Sequence, residues 1–310
     1  MDAAPEISVE GIESARDLID PVFLDSPQFR SDALSRLLEA EVIVKLECVN
    51  PIRSFKARGA FAFVERHRET APTPWLCASA GNFGQGLAYA ATRHSIPLIV
   101  YAATTANAYK VAKMRELGAE VTLVGDDFDA AKDACRAHAQ RDGLTFVEDG
   151  HDEAITEGAG TIATELGSWR PPLDEVILPV GNGALVNGVG TWLKARCPET
   201  RIVGAGALGA PAMERSYRTG RVETTDSVST IADGVATRIP VPSAVATMLE
   251  VVDDMILVDE TWIRRAMDLI QLELGITPEP AGAVPLAAAM REPGRVKGRR
   301  VALLVSGSNV

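Results

Sequence analysis

The chain is poor in the residues from which metal sites and disulfide frameworks are built. Its four cysteines, Cys48, Cys77, Cys135 and Cys197, lie far apart with no C-x-x-C pair, which argues against a zinc ribbon or a disulfide scaffold. They read as buried free thiols. The four histidines, His67, His94, His138 and His151, show no ligand spacing, and none stands near a paired Glu or Asp in a metal motif. Metal-dependent hydrolysis is therefore not expected. The chain has no uninterrupted apolar run of about 18 residues, and its start, MDAAPEISVEGIESARDL, has no basic region followed by an apolar one. No membrane partner is indicated, and cytoplasmic residence is the expectation. Positive charge is also short, with 31 Lys and Arg against 42 Asp and Glu. The net charge of -11 opposes a phosphate backbone, so nucleic acid is not an expected partner. There is no G-x-S-x-G elbow, and no histidine follows a candidate nucleophile in a recognisable order, so Ser-His-Asp hydrolysis lacks its parts. Only Lys45, Lys56, Lys110, Lys113, Lys132, Lys194 and Lys297 are lysines. That scarcity makes each one worth placing.

What is present is ample core material. With 310 residues, 46% of them hydrophobic and 24% charged, the chain has enough for two compact units. From Glu41 strand and helix patterns alternate: EVIVKLE reads as extended and SFKARGAFAFVERHR as helical, with Ser54 placed as N-cap. Residues 74 to 149 carry four short strand patterns, WLCASA, LIVYAA, AEVTLVG and LTFVED, with helical patterns between them. This predicts a small parallel α/β unit, residues 74–148, inserted in a larger α/β unit made from residues 1–73 and 149–310. Pro72 with Pro74, and Pro171 with Pro172, are the expected crossing points.

Five segments carry candidate chemistry. GNGAL, Gly181, Asn182, Gly183, Ala184 and Leu185, follows the apolar strand EVILPV and precedes a helix. Its backbone N–H groups can hold a phosphate, although a tight turn without ligand would carry similar glycines. GAGALG, Gly204 to Gly209, matches the dinucleotide fingerprint, but the region about 20 residues on is polar and does not end an apolar strand in an acid. Nicotinamide or flavin binding is the competing reading. Lys110, Lys113 and Lys132 read as solvated helix lysines. Lys56 differs, because it lies beside Phe55 at a helix N-terminus, where the positive end of the dipole favours the neutral amine that Schiff-base chemistry needs. SAGNF comprises Ser79, Ala80, Gly81, Asn82 and Phe83, and it is either a good helix start or a carboxylate-binding loop. VALLVSGSN delivers Ser306 to the end of a buried strand, as a cap or as a ligand contact.

In this order and spacing the motifs resemble the fold-type II PLP enzymes (tryptophan synthase β-like) of the serine/threonine dehydratase and serine racemase family, from about Val44 to Asn309. PIRSFKARGA looks like the segment that carries pyridoxal 5'-phosphate as a Schiff base on Lys56, with Phe55 beside it. SAGN looks like the loop for the substrate carboxylate, with Asn82 reaching the cofactor's ring hydroxyl. GNGAL sits where the family has its phosphate cradle, and SGSN where it has the serine facing the pyridine nitrogen. TIADG, Thr230 to Gly234, and EPAGA, Glu279 to Ala283, are further signatures.

The resemblance implies a deaminating dehydratase of a small β-hydroxy amino acid, with Lys56 as the base at Cα, and a homodimer. A β-replacement synthase or racemase on the same scaffold is the alternative. Departures bear on these expectations. Phe83 stands where many members have His, and Ala80 where racemases carry a second base. Gly206 stands where metal-activated members have a glutamate, so no metal site is expected. With Val310 following directly on SGSN, no regulatory domain is expected after it.

Overall fold

The computed structural model describes residues 7–310. In chain order the strands are β1 (Gln28–Arg30), β2 (Glu41–Leu46), β3 (Trp75–Ala78), β4 (Leu98–Ala102), β5 (Glu120–Leu123), β6 (Phe146–Val147), β7 (Glu175–Pro179), β8 (Arg201–Ala207), β9 (Asp254–Val258) and β10 (Arg300–Val305). The helices are α1 (Val9–Ala15), α2 (Asp32–Leu38), α3 (Lys56–His67), α4 (Asn82–Arg93), α5 (Ala108–Glu116), α6 (Phe128–Asp142), α7 (Glu153–Leu166), α8 (Ala184–Arg196), α9 (Ala212–Thr219), α10 (Pro242–Val251), α11 (Glu260–Leu274), α12 (Pro280–Arg291) and α13 (Pro293–Val296).

The strands form two sheets, a large one of order β1-β2-β10-β7-β8-β9 and a small one of order β5-β4-β3-β6. All neighbours are parallel except β1, which pairs antiparallel with β2 in the register Phe29 to Val44. Strand periodicity explains the two-sided core of the large sheet. Val42, Val44, Val301, Leu303 and Val305 point into a cluster with α11 and α12. Ile43, Ala302 and Leu304 point the other way, into a cluster with α7, α8 and α10. The small sheet uses residues 75–147 and the large one uses both flanks, as the strand–helix rhythm predicts. Helix α3 precedes residue 74, yet Ala60, Phe61 and Val64 pack in the same cluster as Trp75, Cys77 and Leu87 of the small unit.

Helices α3, α7 and α8 approach closely because small residues meet at their contacts. A Cβ on Gly158 of α7 would lie 2.5 Å from the Arg58 carbonyl oxygen of α3, and one on Gly188 of α8 would lie 2.1 Å from the Thr156 carbonyl oxygen. Within this bundle Arg58 is fully buried. It bonds Glu47 at 2.9 Å and Glu165 at 2.6 Å, and Lys45 adds a further ion pair to Glu165. Each buried cation thus has a carboxylate partner, without which burial would be costly.

Several expectations need correction. Helix α3 begins at Lys56, which puts Phe55 at the boundary; the Ser54 Oγ still accepts from the Lys56 N–H at 3.4 Å, as a cap does, and Ser54 also pairs antiparallel with Gly307 next to the end of β10. Pro171 and Pro172 lie between α7 and β7, whereas the chain leaves the small sheet after β6, before α7. Gly204 and Gly206 of the apparent dinucleotide fingerprint lie inside β8, and a Cβ on Gly204 would meet Met255 Sδ at 2.2 Å. These glycines make room for neighbouring side chains within the sheet and form no phosphate turn. Elements α1, β1, α2, α10 and α13 lie outside the clear strand–helix alternation of the sequence.

Candidate active site

The residues assigned to cofactor and substrate line one cavity of ≈ 290 Å³ between the two sheets: Phe55 and Lys56, Ser79 to Phe83, Gly181 to Leu185, and Ser306. This volume is at the lower end of the roughly 300–1,000 Å³ usual for small-molecule sites. Parallel-strand topology explains the convergence, because β3, β7 and β10 all deliver their following turns to the same carboxyl-end crevice.

Lys56 is the first residue of α3. Its Nζ donates to Asp149 Oδ2 at 2.6 Å, so the amine is ion-paired rather than isolated at the helix end. The Phe55 N–H donates to the Ser306 carbonyl oxygen at 3.2 Å. This bond ties the start of α3 to the end of β10.

The GNGAL turn ends in Gly183 at φ +100°, which is the N-cap of α8 and makes no side-chain cap bond. The N–H groups that open this helix lack the carbonyl partners of its interior and carry the positive end of the dipole. Asn182 is held from behind, accepting from Thr237 Oγ1 at 3.3 Å.

In SAGNF the Ser79 Oγ accepts from the Gly84 N–H at 2.9 Å and the Gly81 N–H at 3.2 Å. Ser79 is therefore part of the helix start, and its hydroxyl hydrogen is left to donate. Phe83 is 5% exposed and packs into the small-sheet core. Asn82 sits in a network: its Nδ2 donates to Glu279 Oε1 at 2.6 Å, and its Oδ1 accepts from Asn309 Nδ2 at 2.9 Å.

Glu279 is almost wholly buried, and its Oε2 has no hydrogen-bond partner among the described residues. Burial pushes its carboxyl up to about 7, and nearby Asp233 adds to the rise, while Lys110 and the Asn82 hydrogen bond oppose it. The reading of Lys110 as a solvated lysine is overturned: it is 5% exposed, lines the cavity and donates to Asp233 Oδ2 at 2.5 Å. It packs against the loop, since a Cβ on Gly81 would lie 3.1 Å from Lys110 Cδ. Lys113 does remain on the surface, paired with Glu116, and Lys132 pairs with Glu148.

Sequence reasoning gave no role to Asp149, Lys110, Asp233 or Glu279. Asp149 had a usable signal, because an acid just beyond the carboxyl end of a parallel strand faces the ligand crevice. Asp233 and Glu279 lay inside the TIADG and EPAGA signatures without an assigned task.

The donor set suits pyridoxal phosphate. A primary amine can link to an aldehyde, the uncapped start of α8 can take a phosphate, and Ser306 supplies a neutral hydroxyl at the end of β10. Comparison with known proteins agrees. Residues 19–307 match the family described as pyridoxal-phosphate dependent enzyme. An L-threonine ammonia-lyase of Thermotoga maritima is 33% identical over 305 residues, which is 98% of this chain and 76% of that protein. The processed form of threonine deaminase isoform 2 from Solanum lycopersicum superposes with a TM-score of 0.90 at 31% identity, covering 97% of this chain and 88% of that one. Maize serine racemase superposes with a TM-score of 0.92 at 26% identity, covering 99% and 94%. With its sequence matched almost end to end and its cavity furnished for the cofactor, the chain belongs to the pyridoxal-phosphate dependent enzyme family.

Proposed function

We propose that this chain is a deaminating dehydratase that converts a small β-hydroxy amino acid, L-threonine or L-serine, into the 2-oxo acid and ammonia. The observation that carries this reading is the Lys56 amine in a cavity flanked by the uncapped α8 N-terminus and the SAGN loop. The two relatives named for threonine chemistry support it.

In this reading Lys56 would hold the cofactor through its aldehyde. The backbone N–H groups at Gly183 to Leu185 would hold the phosphate, Asn82 the ring hydroxyl and Ser306 the pyridine nitrogen. Bound there, pyridoxal phosphate supplies the electron sink that lets the Cα–H bond ionise. The Lys56 amine would accept the Cα proton. The Ser79 hydroxyl and the N–H groups that open α4 bind the substrate carboxylate, and this fixes which Cα bond faces Lys56. A neutral Ser306 hydroxyl beside the ring nitrogen would support positive charge there less than a carboxylate would, which suits elimination of the β-hydroxyl. Phe55 and Phe83 help keep water from the reacting atoms.

The racemase alternative draws support from the maize serine racemase fold, but Ala80 offers no second acid. We assign residues 1–73 and 149–310 to a cofactor-binding domain and residues 74–148 to a mobile domain that closes over the substrate. A cytoplasmic homodimer completes the proposal: the unpaired thiols of Cys48, Cys77, Cys135 and Cys197 suit a reducing compartment, and the family resemblance carries the dimer. Incubating the PLP-loaded protein with L-threonine or L-serine and following both 2-oxo acid and D-amino acid tests the reaction. Formation of 2-oxo acid supports it; D-amino acid alone, or neither product, overturns it.

A further inference from the structure

Asp149 lines the cavity, and the function proposed above gives it no task. One oxygen, Oδ2, accepts from Lys56 at 2.6 Å, and the other, Oδ1, is buried without a hydrogen-bond partner among the described residues. The carboxylate is also fixed in place. The next residue, Gly150, has φ +85°, and a Cβ there would lie 2.6 Å from the Asn182 carbonyl oxygen, so this loop is wedged against the GNGAL turn. Around it, Phe55, Phe83, Phe128, Leu185 and Val228 make much of the cavity wall apolar. A carboxylate in such a setting needs donors.

Lys56 is the donor in this structure. A lysine that carries the cofactor and then takes a proton from Cα cannot stay clamped to Asp149 throughout turnover. While Lys56 is so engaged, Oδ2 has lost its donor and is available to whatever occupies the cavity, whereas Oδ1 stays closed off within the protein. Of the other charged groups of the cavity, Lys110 bonds Asp233, and Glu279 bonds Asn82 through Oε1 while its Oε2 has no partner among the described residues.

We propose that Asp149 is a specificity-determining residue that accepts a hydrogen bond from the substituent on the substrate's Cβ. The cavity then takes amino acids whose β-substituent donates, a hydroxyl or an ammonium, and disfavours those whose β-substituent cannot donate or is itself anionic. This deepens the dehydratase reading and rests on it. The discrimination follows from Oδ2: a substrate without a donor leaves it unpaired once Lys56 has moved away, a penalty that a site built around hydrogen bonding converts into selectivity.

The test compares PLP-loaded wild type with Asp149→Ala and Asp149→Asn on two substrates that both yield 2-oxo acid by elimination. L-threonine carries a β-donor, and β-chloro-L-alanine does not. Asp149→Ala is expected to lower kcat/KM for L-threonine roughly 10- to 100-fold and to leave that for β-chloro-L-alanine unchanged or raised, with Asp149→Asn between wild type and Asp149→Ala. A second readout needs no turnover. The dissociation constant of L-2-aminobutyrate, which has neither a β-donor nor a leaving group, is followed by cofactor absorbance and is expected to be unchanged or lower in Asp149→Ala, never higher.

Equal losses on both substrates, or a weakened L-2-aminobutyrate complex, overturn the assignment by showing that Asp149 acts on Lys56 or on the fold. Unchanged L-threonine kinetics overturn it too. A wild type that forms no 2-oxo acid from either substrate sinks the dehydratase reading itself, and the Asp149 assignment with it.

Discussion

Asn82 and Glu279, 197 positions apart in the chain, are joined by a 2.6 Å hydrogen bond from the amide Nδ2 to the carboxyl Oε1. The bond links the start of α4, beside the small sheet, to the residue that caps α12 on the large one. It also fixes the amide orientation, since Asn309 donates to the Asn82 oxygen and Glu279 takes one hydrogen of its nitrogen. One amide hydrogen is left for the cavity.

Glu279 makes stability depend on pH in a direction opposite to an ordinary ion-paired carboxylate. Its carboxyl is pushed up to about 7 from 4.5, so between those values the folded chain keeps a proton that the unfolded chain has lost. Stability therefore falls as pH rises across that window. Urea titrations of cofactor-free Glu279→Gln should match wild type near pH 5 and show a gain of up to about 3 kcal/mol near pH 8. An equal difference at both values would contradict this.

Glu165 gives the acid limb. Burial alone would raise its carboxyl, but Arg58 and Lys45 overcome that and hold it below the usual range. Its contribution is present above 4.5 and is lost as pH falls through the lowered value. Arg58→Met leaves Glu47 and Glu165 short of a partner in the core, and should cost about 3–5 kcal/mol in urea unfolding at pH 7.

Gly183 serves the phosphate end of the cavity. At φ +100° a side chain is strained, and its Cβ would meet Ala244 Cβ at 3.1 Å. Gly183→Ala should therefore shift the turn at a cost of about 1–3 kcal/mol and weaken cofactor binding roughly tenfold. Equilibrium titration with pyridoxal phosphate measures this, and unchanged affinity would show that the turn is not the cradle.

The two-sheet architecture and the cavity-lining segments were legible in the sequence because they rest on local signals: apolar runs such as EVILPV and RVALLV, glycine turns after them, and one lysine next to Phe55. What stayed hidden depends on distant residues meeting. Lys110 looks like any helix lysine until Asp233 is brought to its amine, 123 positions along the chain. Asp149 sits 93 positions from Lys56, and nothing in the helix pattern around Lys56 announces an acidic partner. Ser54 has the spacing of a cap and its Oγ accepts from the Lys56 N–H, but that spacing could not reveal its bridge to Gly307.

The cavity holds two amines, those of Lys56 and Lys110, and this gives the most direct test of the account. The PLP-loaded protein is reduced with borohydride, digested, and its peptides are weighed by mass spectrometry. Lys56 as the anchor predicts the reduced cofactor on the peptide that contains Lys56, and none elsewhere. Label on Lys110, or on no lysine at all, would contradict it.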